Sequence, residues 1–288
     1  MAINSIGWLQ SPGFRKSYFT LLGLIAMLLV IFPFLWIVLS SLRGVDDFFS
    51  LELSNALPQA LDLTSYKLAL GRSQLVRWTA NSLFIATGTT LLSLSVSAPA
   101  AFAIARLRFK GRRAGAVILI SSYAIPSIML AIPVFVLLTT LRLNNSYFAL
   151  ILLHATFTIP FTTWVLQDFY HSIPADLEEA GYIDGASLRQ VLWRIILPLS
   201  VPGLLAAGAY AFILSWTEFL FAFLLVQSND AFTAPVGVHA FFTGRNATES
   251  VMAQLMAASV VVSLPSVVIF GYFQRYLVSG FLTGAVKG

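Results

Sequence analysis

Residues 170–199 form a polar island between long apolar stretches, and they gather Glu178, Glu179 and Asp184 with Arg189 and Arg194. Acids and guanidiniums at helical spacing suit charge pairing with a partner surface, and no nucleophile–base pair stands beside them. The other acid that bears on function is Glu218, alone inside an otherwise uncharged apolar segment. Keeping a charge there is expensive, which makes such a residue a functional candidate by default. His154, His171 and His239 are too scattered to read as a metal site, and the absence of cysteine removes thiolate and disulfide chemistry. No G-x-x-x-x-G-K-[ST] run is present, so the sequence offers no phosphate cradle of its own. These residues point to docking and passage rather than catalysis.

The elements that must carry them are membrane helices. The chain is 58% hydrophobic and only 10% charged, against about a quarter charged in soluble domains. Charge-free runs cover 17–42, 78–105, 114–141, 143–167, 195–217 and 250–274, and about 20 apolar residues suffice to cross a bilayer as a helix. We therefore expect an all-α, multi-pass protein of six spans forming one transmembrane domain over 1–288. The spans are placed at about 18–42, 77–106, 114–141, 147–169, 201–227 and 251–277, with a short surface helix at 64–70. The first is read as an uncleaved helix, because it outruns a signal-peptide core and has no A-x-A site. Pro33, Pro126, Pro133, Pro160 and Pro265 fall inside spans. They are either hinges for alternating access or the ordinary proline content of membrane helices.

Lysine and arginine set the orientation. The segments around 15–16, 106–113, 189–194, 275 and 287 hold most of the basic residues; the alternate segments hold Arg43, Lys67, Arg72, Arg77, Arg142 and Arg245. The bias places both termini and the island in the cytoplasm. The formal charge of +5 then reflects topology and anionic lipid, and nothing asks for nucleic acid.

Within the island, Pro174 favours the start of a helix reaching about 183, and Gly185 offers the positive φ that ends it. Ser187 and Gln190 have capping-box spacing for a second helix, which Pro198 should stop. Leu177, Ala180, Gly181 and Asp184 fall on one face of the first helix, with Glu178 and Glu179 flanking it. An amphipathic loop lying on anionic lipid would carry basic residues instead.

The run Glu179-Ala180-Gly181 through Asp184-Gly185-Ala186, followed by Ile195, Leu197, Pro198 and Pro202, resembles the EAA loop of ABC-importer permeases. Gly181 stands where that pattern usually has alanine, and Leu192 where it often has phenylalanine. Asn81-Ser82, Arg106-Leu107-Arg108-Phe109, Ser215-Trp216-Thr217-Glu218-Phe219 and the ending Gly284-Ala285-Val286-Lys287-Gly288 resemble the maltose-type carbohydrate permeases. The resemblance implies a type I importer fold in a bacterial inner membrane. It also implies a coupling helix (Glu178, Glu179, Ala180, Gly181, Asp184, Gly185, Ala186, Leu197, Pro198) seated on a separate ATPase. Its partners would be a second homologous permease, a dimer of ATPase subunits that use ATP and Mg, and an extracytoplasmic sugar-binding protein. This chain would bind no cofactor and catalyse nothing.

The remaining expectations are positional. Tyr123, Tyr210, Trp216 and Glu218 are candidates for the substrate pathway. Glu218 either takes part in transport or locks the bundle, and Trp216 either stacks or packs. In the outer loop 227–250, Val238, His239, Phe241 and Phe242 resemble the segment facing the binding protein, or they fold back onto the bundle. Gly284, Lys287 and Gly288 belong to a short tail that the resemblance sets against the ATPases. An independent ion-coupled transporter or channel is the other class. It calls for several carboxylates near the midplane, where only Glu218 is available.

Overall fold

The computed structural model describes residues 12–43, 61–71, 73–243 and 249–285, and every regular element among them is helical. Contacts divide the chain into two compact units, 1–71 with 242–261 and 72–241 with 262–288.

The first unit contains α1 (Pro12–Ser41), α2 (Thr64–Leu70) and part of the last helix. From Lys16 onward α1 is apolar and exposed along most of its length, as a lipid-facing span requires. Its C-terminal Ser41 hydroxyl lies 2.6 Å from the Tyr66 hydroxyl of α2, and Asp62 turns the chain into α2 by accepting the Thr64 N–H at 2.8 Å. The surface helix expected at 64–70 is α2.

The second unit is built on α3 (Ser73–Arg106), followed by α4 (Arg112–Tyr123), α5 (Ser127–Thr140), α6 (Tyr147–Ser172) and α7 (Asp176–Ile183). Then come α8 (Leu188–Gln190), a π-helical stretch (Val191–Ile196), α9 (Leu197–Leu199) and α10 (Val201–Thr217). After α11 (Leu220–Leu225) a 3₁₀ turn (Asn229–Ala231) leads to α12 (Ala234–Thr243), and α13 (Glu249–Ala285) ends the described chain. α3 packs along α6, and α10 packs against both. Small and hydroxyl residues line these seams: Ala86, Thr89, Ser93, Ser97 and Ala101 of α3 and Ala207 and Ala211 of α10 are fully buried. Without a hydrophobic drive between helices in lipid, close backbone approach and interhelical hydrogen bonds hold them instead. Ser93 and Thr158 hydroxyls meet at 2.5 Å across the α3–α6 seam.

Among the described residues four helices are long and apolar enough to span a membrane, or up to six spans if each of two sharply bent pairs counts as one. The first bend breaks the expected third span; the second falls between the island's second helix and the expected start of the fifth span at 201, where Pro198 is read as a stop. α4 and α5 meet at 93°, because Pro126 has no N–H to give and disfavours helical backbone at the residue before it. The island's second helix meets α10 at 78°, between Pro198 and Pro202. The helix runs past Pro198 to Leu199, and the Ser200 hydroxyl bonds the Ile196 carbonyl at the break. The fifth span breaks at Glu218, where α10 ends. The sixth runs to Ala285, so the expected tail is helical over 279–285.

Gly203 sits where a methyl group would stand 2.6 Å from Cγ of Phe169, whereas Gly115 faces open space. Gly203→Ala is expected to destabilise the protein by about 1–3 kcal/mol, and Gly115→Ala to leave stability equal or higher. Thermal unfolding of the two purified variants checks the contrast.

Candidate coupling and docking sites

Arg106 closes α3, and its guanidinium is the centre of the island's attachment. Nη2 donates to the Tyr170 carbonyl at 2.8 Å and the Ile173 carbonyl at 2.7 Å. These carbonyls lie at the C-terminal end of α6, where a cation is favoured, and Tyr170 O also accepts the Ile173 N–H. Nε faces Glu178 Oε1 at 2.5 Å, with side-chain exposures of 16% and 8%. Glu178 lies in the first turn of α7, where the helix dipole favours an acid. One guanidinium therefore ties the ends of α3 and α6 to the start of α7.

This corrects the placement of Glu178, read from sequence as flanking a docking face beside Glu179. It is turned inward because a buried arginine at the bundle end needs its charge. Gly181 is also turned inward: a methyl group there would stand 2.6 Å from Ile195 Cδ1, so glycine lets α7 press onto the π-helical stretch. What α7 leaves exposed is Leu177, Glu179, Ala180, Tyr182, Asp184 and Ile183, the last at 85%. Burial and the Glu178 carboxylate push the Tyr182 phenol above its ordinary range, so it remains a neutral hydroxyl.

The bend after α7 is a complete Schellman motif. Ala186 N–H donates to Gly181 O at 2.9 Å and Gly185 N–H to Tyr182 O at 3.0 Å, with Gly185 at φ +79°. Ser187 and Gln190 then form the capping box: Ser187 N–H donates to Gln190 Oε1 at 2.7 Å and Gln190 N–H to Ser187 Oγ at 3.4 Å. Ala186 and Leu197 are half-buried against the same core, and Pro198 is exposed.

Glu218 sits between α10 and α11. Its carboxylate accepts the Phe221 N–H at 2.8 Å and the Ala222 N–H at 3.1 Å, so it caps α11. It also lies 3.2 Å from His154 Nε2, which must donate because a carboxylate only accepts. His154 Nδ1 meets Ser215 Oγ at 2.8 Å, and Ser215 donates to Thr89 Oγ1 at 3.3 Å. Trp216 is 2% exposed, donates to the Val262 carbonyl at 3.1 Å and stacks on Phe212. Trp216 is thus packed within the bundle, and the half-buried Glu218 is engaged with the start of α11 and with His154. Tyr123 and Tyr210 do come together, with hydroxyls 2.8 Å apart.

At the opposite end of α3, residues 227–243 are not a free loop. Trp78 Nε1 donates to Asn229 O at 2.8 Å, Asn81 Nδ2 to the Asp230 and Phe232 carbonyls at 2.9 Å each, and Ser82 Oγ accepts Ala234 N–H at 2.8 Å. Asn145 Oδ1 accepts the Gln227 and Ser228 N–H groups at 2.7 and 3.0 Å. Gly237 lies flat on the Trp78 ring, where any Cβ would collide at 2.2 Å. Val238 and Phe241 on α12 are half-buried, and exposed His239 meets the Phe219 and Phe223 rings edge-on. The Phe242 side chain, Lys287 and Gly288 lie outside the described residues; Gly284 is within α13. Asn81-Ser82 and Arg106-Leu107-Arg108-Phe109 stand out in the sequence through resemblance alone, and neither signals the clamp or the anchor that the structure shows.

Residues 95–282 match the family of binding-protein-dependent transport system inner membrane components. The chain belongs to this permease family. It is 35% identical over 276 residues to the trehalose/maltose transport system permease MalG of Thermococcus litoralis, covering 95% of this chain and 98% of that one. It is 33% identical, over the same shares, to the trehalose transport permease SugB of Mycobacterium tuberculosis. Its fold matches a chain of a bacterial ABC transporter involved in alginate import, with a TM-score of 0.79, 23% identity and coverage of 91% and 96%. The permease is thus a multi-pass inner-membrane protein.

Arg106→Ala would strand a buried carboxylate and remove a donor from two carbonyls at once, and breaking a buried pair costs about 3–5 kcal/mol. Glu178→Gln keeps an acceptor and should cost about 1–3 kcal/mol. Thermal unfolding of the purified permease is expected to rank Arg106→Ala as the more damaging. At the other end, Asn81→Leu leaves two carbonyls without their donor, and limited proteolysis should then cut 227–243 several-fold faster than in the wild type.

Proposed function

We propose that this permease is one of two membrane subunits of an ATP-driven importer of a di- or oligosaccharide or a sugar-like osmolyte, with α7 as the element that meets a separate ATPase. The observation that carries the reading is the island's construction. α7 is anchored through Arg106 to α3 and α6, held at a fixed angle by Gly185, and left with Leu177, Ala180, Ile183 and Asp184 facing outward. Exposed apolar side chains beside acids suit a cleft with apolar walls and a basic rim, and Glu179 supplies the outward charge. The sugar assignment is supported by relatives named for trehalose and maltose transport.

In this reading the island and both termini are cytoplasmic, and ATPase closure moves α7 as a rigid lever whose displacement enters the bundle through Arg106. α12, pinned by Trp78, Asn81 and Ser82, presents Val238, His239 and Phe241 to the extracytoplasmic binding protein, and the sequence assigns Phe242 to the same contact. Gly284 at the end of α13, and Lys287 and Gly288 after it in sequence, contact the paired ATPases. ATP and Mg belong to those ATPases. The ion-coupled alternative draws no support from Glu218, whose carboxylate is engaged with two backbone N–H groups and His154.

Gly185→Val is expected to leave the protein inserted but to abolish coupled uptake, since a β-branched residue at φ +79° is a strained outlier. Uptake and transport-stimulated ATP hydrolysis would be measured in vesicles holding this permease, its partner permease, the ATPases and the binding protein. Normal coupling by the variant, or uptake driven by a proton or sodium gradient with this permease alone, would overturn the reading.

A further inference from the structure

Halfway across the bundle, four aromatic side chains from three helices form one continuous cluster. Phe161 of α6 lies at the centre: its ring centroid is 4.0 Å from that of Tyr210 in α10, 5.9 Å from Tyr123 at the end of α4, and 5.6 Å from Trp164 one turn along α6. The Tyr123 and Tyr210 hydroxyls meet at 2.8 Å beside it. Tyr123 is 50% exposed and Trp164 38%, whereas Phe161 and Tyr210 are half-buried.

The depth of the cluster is what makes it informative. Tyr210 lies nine residues into α10, about 13 Å along its axis, close to half of the roughly 30 Å hydrocarbon layer. Phe161 and Trp164 are likewise in the middle of α6. Tyrosine and tryptophan in membrane proteins collect at the two interfaces, where their polar tips reach water; here two phenols and an indole sit at mid-depth.

The backbone beside them is also irregular. Tyr123 is the last residue before the 93° break between α4 and α5, and residues 121–129 are exposed on this chain. Non-helical backbone at membrane depth is tolerated only where protein covers it or where it lines a water-filled cavity, and broken helices at mid-membrane are where transporters build binding sites.

We propose that Tyr123, Phe161, Trp164 and Tyr210 form a platform on which a pyranose ring of the transported saccharide stacks midway through the pathway. The reading rests on the carbohydrate function proposed above. Aromatic faces meet the apolar C–H face of a sugar ring, while the paired phenols and the exposed carbonyls at 124–125 supply polar partners for its hydroxyls. An apolar wall with a few convergent polar groups is the usual composition of a small-molecule site. Phe161 and Trp164 were not singled out by the sequence, because phenylalanine and tryptophan in an apolar helix carry no signal of their own.

The absence of cysteine from this chain provides the test. Trp164→Cys and Tyr123→Cys would be assembled with cysteine-free partner subunits in nanodiscs and exposed to a membrane-impermeant methanethiosulfonate reagent. The saccharide used is whichever of trehalose, maltose and diacetylchitobiose the importer accumulates. Both cysteines are expected to react, and saturating saccharide to slow the reaction several-fold by occupying the face. Mannitol should have no effect. As a lipid-facing reference, Ile118→Cys should not react. Cysteines at 123 and 164 as silent as that reference would show the face covered by lipid or by the second permease, and would overturn the platform. Reactive cysteines that no transported saccharide protects would overturn it as well. An importer that moves no saccharide overturns the platform and leaves the proposed function with its osmolyte arm alone. As a second measurement, Trp164→Phe should retain uptake and Trp164→Leu should lower it several-fold; equal rates in the two would contradict stacking.

Discussion

A guanidinium at the end of a membrane bundle has to be neutralised, and the organisation of the island follows from how Arg106 meets that demand. Its donors are shared between the carboxylate of Glu178 and the terminal carbonyls of Tyr170 and Ile173. Each partner alone would leave either charge or carbonyls uncompensated in a low-dielectric setting. Together they fix three chain segments at one point. α7 therefore cannot tilt without breaking contacts to α3 and α6. That property suits a lever better than a loop lying on lipid.

The same accounting governs every place where the helices are interrupted. Breaking a membrane helix frees backbone donors and acceptors that lipid cannot satisfy. At Ser200 the side chain bonds the Ile196 carbonyl, and at 218–219 the Glu218 carboxylate takes the first N–H groups of α11. Around 227–234 the carbonyls and N–H groups are met by Trp78, Asn81, Ser82 and Asn145. The α4–α5 break is different in kind, since its residues are exposed on this chain and lie beside the aromatic cluster. Its N–H groups are met locally, by the Ser121 and Ser122 carbonyls, rather than by another helix.

Charge alone is therefore a poor guide to role in this chain. Glu178 and Glu179 are neighbours with the same chemistry, yet one is buried as a structural partner and the other faces outward. Glu218, the most conspicuous acid in the sequence, caps α11 and meets His154, while the uncharged Phe161 occupies the centre of the aromatic cluster.

Composition and periodicity determined the membrane class, the helical fold and the position of the island, because a bilayer imposes length and polarity on each segment separately. Local chemistry determined more: Gly185 with its positive φ and the Ser187–Gln190 box are complete within a few residues, so both were readable. The family was legible from the island for the same reason. Only the tertiary structure decided which island residues face inward, because Arg106 and Glu178 are far apart in sequence and their pairing depends on how α3 and α6 end side by side. It also decided that the third and fifth spans are broken. Prolines marked the first, but whether a proline kinks or breaks a membrane helix depends on what its neighbours offer the freed backbone. The convergence of Tyr123, Phe161, Trp164 and Tyr210 belongs to the same class: helix packing across long sequence distances creates it, and no single segment encodes it.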